Sequence, residues 1–113
     1  MRLATIALLS VFALACGGSI PPPNDEWTAA NADVARAQQG GADNVPDAKL
    51  HLQLAREDLT KSKDLIDKDN QRAASLIGLS RVEAQLALSL AKAQIAHDQA
   101  AQAQADLAKA KGN

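Results

Sequence analysis

From Asn24 onward the apolar residues are mostly alanine and leucine, and Trp27 is the sole aromatic. Both types are strong helix formers, whereas the residues that strands favour are few. The expected fold class is therefore all-α. Alanine offers few atoms per contact, yet it lets helix backbones approach closely, so a long regular seam can still pack well. Breakers then set the number of helices. Pro21, Pro22 and Pro23 precede the first helical stretch, Gly40 and Gly41 stop it, a second starts near Asn44 with Pro46 in its first turn, and Asp69 or Asn70 caps a third. The expected arrangement is a small three-helix one: a short first helix, a helical hairpin, and a long C-terminal helix projecting as an Ala-rich coil. Helices are expected at about 25–39, 45–67 and 70–110.

Spacing assigns faces to these helices. In the first, Asn24 is expected as the cap, with Asp25 and Glu26 in the first turn, where carboxylates suit the helix dipole. Its apolar positions are Trp27, Ala30, Val34 and Ala37, and Trp27 is expected to pin it to its neighbours. In the second, Val45, Ala48, Leu52, Ala55, Leu59, Ser62 and Ile66 recur at three and four. Leu50, Leu54 and Leu65 form another stripe on nearly the opposite side, so this helix is expected to be covered on both sides. On that reading Leu54→Asp should destabilise as strongly as Leu59→Asp. The third helix is apolar over a broad arc in its first half, including Ala73, Leu76, Ile77, Leu79, Val82, Leu86, Leu90, Ala91 and Ile95. A heptad seam also runs through Val82, Leu86, Ser89, Ala93, Ala96, Ala100, Ala103, Leu107 and Ala110. Its part beyond Ile95 is either a solvated helix end or a close-packed alanine coil with another chain. Ala96, Ala100, Ala103, Leu107 and Ala110 are the candidate partner-facing residues.

The first 24 residues address location. Met1 and Arg2 supply positive charge, Leu3 to Leu14 is uncharged and mostly apolar, and small residues lead to the only cysteine, Cys16. These are the parts of a secretory signal. The apolar run is too short to span a bilayer, which takes about 18 to 20 residues. FALAC, Phe12 to Cys16, resembles the lipobox of bacterial lipoproteins, with Ala13 where Leu is usual. The resemblance implies cleavage between Ala15 and Cys16 and a covalent lipid, palmitate among its acyl chains, on the cysteine. Gly17, where some bacteria use Asp to retain lipoproteins at the inner membrane, favours the outer membrane facing the periplasm. The domain reading is 1–15 signal, removed; 16–24 lipidated cysteine and Gly/Pro linker; 25–113 helical domain. Losing Arg2 takes the 12 basic residues to 11, against 13 acidic ones, a net charge of −2. With no basic block, nucleic acid is not an expected partner.

The stretches ADVARAQQGGADNVPDAKLHLQLAREDL (32–59) and DNQRAASLIGLSRVEAQLALSLAKAQ (69–94) resemble the bacterial family called domain of unknown function 4398. The resemblance implies an Ala-rich helical lipoprotein of the cell envelope. It implies no activity and no catalytic residue.

Nothing in the residues points to chemistry. His51 and His97 lie on different helices and are expected at the surface, since a metal site needs three or four converging ligands. Glu57 and Asp58 are sequence neighbours and so do not face each other on a helix. There is no phosphate-binding glycine motif and no nucleophile elbow. The expectation is no enzyme, no metal and no cofactor beyond the lipid, with no small-molecule substrate. Partners would be the membrane, through the lipid, and either an envelope protein or a second copy. The alternative function is a self-assembling coiled-coil spacer between membrane and cell wall, similar to the major murein lipoprotein. That type ends in a lysine joined to peptidoglycan, whereas here Lys111 is followed by Gly112 and Asn113.

Overall fold

The computed structural model describes residues 18–112. Among them are helix α1 (Asn24–Gln39), a single 3-10 turn (Ala42–Asn44), helix α2 (Pro46–Leu65) and helix α3 (Asn70–Lys111). The described residues contain no strand. The all-α reading and the projecting third helix both hold. Cys16 and Ala15 lie outside the described residues.

The helix ends have local causes. Pro23, not Asn24, occupies the cap position of α1, and Asn24 is the first helical residue. Helix α2 begins at Pro46 rather than Val45. A proline disfavours helical geometry in the residue before it, and Val45 is extended at φ −114° and ψ 118°. Pro46 itself loses nothing, because its missing N–H falls where no helical partner exists. At the other end α2 stops at Leu65, two residues early, because Asp67 takes a left-handed φ of 69°. The Asn70 side-chain oxygen accepts from the Asp67 backbone N–H at 2.8 Å and so fixes that turn. Asp69 caps α3, accepting from Arg72 N–H at 3.0 Å. After α1 the chain reverses through Gly41, whose φ of 90° is costly for any residue with a Cβ.

The hairpin of α2 and α3 is built on small residues. Ala48, Ala55 and Ser62 recur every seven residues on α2, and Ala73, Ser80 and Ala87 do so on α3; all six are fully buried. Ser80 Oγ donates to the Ala55 carbonyl at 2.7 Å. That bond fixes an antiparallel register in which Ala48 lies across from Ala87 and Ser62 across from Ala73. Beside this row run Leu52 and Leu59 of α2 with Ile77, Ala84 and Ala91 of α3, all buried. The expected α2 stripe is thus the core stripe, with Val45 and Ile66 half-buried at its ends.

Two face assignments need correction. Helix α2 is not covered on both sides: Leu50 is 55% exposed and Leu54 38% exposed, against 6% for Leu59. Helix α1 packs on one face of the hairpin only, and no second layer lies on the other among the described residues. The apolar arc of α3 is likewise narrower than expected. Leu79, Val82, Leu86 and Ile95 are exposed, because α2 approaches over the Ala and Ser positions and leaves the bulkier residues at the flanks.

Two measurements test this packing. Urea unfolding of Ala55→Leu should lose about 2 to 3 kcal/mol, since the added methylenes must enter a backbone contact with no void; Ala101→Leu on the exposed tail should change little. Leu59→Asp should lose about 3 to 5 kcal/mol for an unpaired buried charge, while Leu54→Asp stays within about 1 kcal/mol of wild type.

Candidate functional site

Beyond the Ser80–Ala55 bond, three polar side-chain contacts join one helix to another among the described residues, and only the one from Trp27 involves a residue that the sequence singles out as a fastener. Trp27 is half-buried and donates its indole N–H to the Leu59 carbonyl at 3.1 Å, with the Lys63 ammonium 5.2 Å from the ring centroid. It does pin α1 to α2. Asp33 is the contact that sequence reasoning misses. It sits on the inner face of α1 beside Val34, 8% exposed, and its carboxylate accepts from Arg36 at 2.7 Å and from Arg81 of α3 at 2.9 Å. Two guanidinium groups on two helices compensate one buried charge, which makes the pair a directional clamp between α1 and α3. The signal available in the sequence is an acid in the middle of an apolar stripe. The third is His51, half-buried rather than a simple surface residue, whose Nδ1 lies 2.5 Å from Glu83 Oε2 across the hairpin. His97, by contrast, is exposed as expected.

These contacts join helices and do not converge on a reactive centre. No group of three or more His, Cys, Asp or Glu that could hold a metal occurs among the described residues. The concave surfaces are shallow. One runs between α1 and α2 past Trp27, Asn31, Gln38 and Lys63, and another lies beside the linker at Ile20, Asp67 and Asn70.

What stands out is surface left uncovered. From Lys92 to its end at Lys111 every residue of α3 is exposed, yet the helix continues unbroken. The 3-10 turn and the start of α2 reach along α3 as far as Gln94, Ile95 and Asp98. Beyond that point the helix stands alone for about 20 Å. The candidate residues Ala96, Ala100, Ala103, Leu107 and Ala110 all lie exposed here, on one seam with exposed Val82 and Leu86. The structure brings them together as a single helix face. No described helix is long and apolar enough to cross a membrane.

The helical body agrees with what comparison with known proteins finds. The family model described as Domain of unknown function (DUF4398) matches residues 25–103, from the first turn of α1 well into the exposed part of α3. The chain belongs to the DUF4398 family. No curated protein and no solved structure matches it. The DUF4398 match takes in both clamp residues, Asp33 and Arg81, together with the small-residue row of the hairpin. In this DUF4398 chain Asp33→Ala should lose about 2 kcal/mol in urea unfolding, because two charge-assisted bonds go together. Trp27→Phe should lose about 1 kcal/mol, for one indole bond with the ring retained.

Proposed function

We propose that this protein is a lipid-anchored, non-catalytic interaction or scaffold module of the cell envelope, held at the outer membrane through Cys16 and facing the periplasm. The observation that carries the reading is the position of the only cysteine, directly after a short apolar run and small residues and directly before a Gly/Pro linker. A lone thiol in an oxidising compartment otherwise requires a separate explanation. One acyl chain binds a bilayer only marginally, whereas two hold stably, and the lipoprotein pathway supplies two or three.

The geometry gives such an anchor a direction. Asn70 Nδ2 donates to the Ile20 carbonyl at 2.8 Å, so the linker is tied to the body at the α2–α3 turn. Only Cys16 to Ser19 remain to span from lipid to protein, about 13 Å fully extended. The turn then sits near the membrane, and α3 carries its exposed end about 60 Å away from it. A second reading, a self-assembling spacer between membrane and wall, is favoured by that exposed helix end.

Cys16→Ser should abolish incorporation of labelled palmitate and partitioning into the detergent phase, because a hydroxyl cannot form the thioether. An intact mass showing wild-type protein with an unmodified Cys16 would overturn the anchoring. Boiling cell walls in detergent separates the two roles: a spacer joined to peptidoglycan stays with the sacculus, and a scaffold does not.

A further inference from the structure

The exposed face of α3 is amphipathic in a way that identifies its occupant. Val82 is 62% exposed, Leu86 39% and Leu107 56%, and they share one stripe with Ser89, Ala93, Ala96, Ala100, Ala103 and Ala110. The spacing alternates four and three throughout, giving four heptads. Apolar heptads sustained for three or four repeats with flanking charges are the pattern of a coiled coil. The stripe is two residues out of step with the one buried against α2, so it lies roughly 200° around the helix from it. The body of the molecule therefore does not obstruct it.

The charges beside the stripe choose the arrangement. Lys92 and Asp106 each directly precede a stripe residue, Ala93 and Leu107, while Glu83 and Lys111 each directly follow one, Val82 and Ala110. In an antiparallel pair, positions on the same flank meet their own kind. If Ala96 of one copy lies across from Ala100 of the other, then Ala93 faces Ala103, Ser89 faces Leu107 and Leu86 faces Ala110. That register sets Lys92 against Asp106 twice and brings Lys111 of each copy to Glu83 of the other, whose carboxylate also meets His51 in its own chain. Neither Lys92 nor Asp106 has an ion-pair partner within the chain among the described residues. Sliding by one heptad in one direction puts Lys92 and Asp106 opposite Gln99 and Gln85; sliding in the other puts Asp106 opposite Gln99 and Lys111 opposite Leu90. A parallel pair keeps only Asp106 with Lys111 and sets Lys92 beside His97.

We propose that the protein pairs with a second copy of itself through α3, antiparallel, with Ala96 across from Ala100. The tail of each copy covers Leu86 on the body of the other and ends within a turn of Val82, and its Leu107 packs beside Leu86 and Ser89. The pair is a rod with one linker at each end. This deepens the self-association arm of the functional reading and does not depend on the lipid. With both copies anchored in one membrane the rod lies along its surface, in place of the upright pose of a single copy.

Cysteine pairing tests it in the full chain carrying Cys16→Ser, kept in detergent. Across an antiparallel pair Ala93 faces Ala103, whereas two copies of either residue stand about 15 Å apart along the axis, beyond the reach of a disulfide. A mixture of Ala93→Cys and Ala103→Cys chains should oxidise to a mixed dimer, and neither alone should crosslink. Lys92→Glu added to both chains should cut that yield about tenfold by setting like charges together, and Asp106→Lys added as well should restore it. Crosslinking of each variant alone would show a parallel pair and overturn the proposal. So would absence of any crosslink, even if an envelope protein is captured at the tail, a result that leaves the scaffold reading standing.

Discussion

The hydroxyl of Ser80 reaches the backbone carbonyl of Ala55 at 2.7 Å, and this depends on α2 and α3 meeting with almost no side-chain bulk between them. Leucine-lined helices pack with axes 8 to 10 Å apart, depending on the side chains at the contact. Here the contact row is Ala48, Ala55 and Ser62 against Ala87, Ser80 and Ala73, all small and fully buried. The serine hydroxyls are what make the contact tolerable. Each is buried and each is satisfied, Ser80 by Ala55 and Ser62 by the Leu59 carbonyl in its own helix, so neither leaves an unpaired polar group. Stability comes from many short contacts along a regular row rather than from a few large side chains.

A thin hairpin of this kind buries little apolar surface, and small domains are marginal for that reason. Helix α1 supplies what is missing. It adds Ala30, Val34 and Ala37 to the core and is located by two directional contacts: the Trp27 indole on α2 and the Asp33 carboxylate shared with Arg81 of α3. Because those contacts lie nearly two turns apart on α1 and reach different helices, they fix its rotation and its tilt together. The charged clamp is specific in a way that an alanine face alone is not, since Ala faces can slide past one another at low cost.

The same economy explains the uncovered surface. Alanine and leucine at heptad spacing on two sides of α3 offer two faces of similar shape, and one chain has only one α2 to give. The second face continues without interruption onto a helix end that nothing in the body is long enough to reach. With the linker tied at the opposite end through Asn70 and Ile20, the molecule has one end bearing the chain toward Cys16 and another presenting a bare helix.

By itself the sequence determined the helices, because alanine and leucine content, the prolines, the glycine pair and the Asp69 cap act locally and leave few alternatives. It also determined the α2 core stripe from Ala48 to Ser62, since that stripe has the one clean period in its segment. The heptad seam past Ile95 was legible as a face too. Periodicity could not decide which of two stripes on α3 meets α2, nor whether Leu50 and Leu54 are covered. Those outcomes rest on matching small residues across a register that only the folded pair sets, which left Val82 and Leu86 outside. Asp33 escaped for a related reason: a carboxylate on an apolar face is a defect until a guanidinium from a residue 48 positions away arrives beside it. Local rules fix what each helix is, and contacts distant in sequence decide what each face is for.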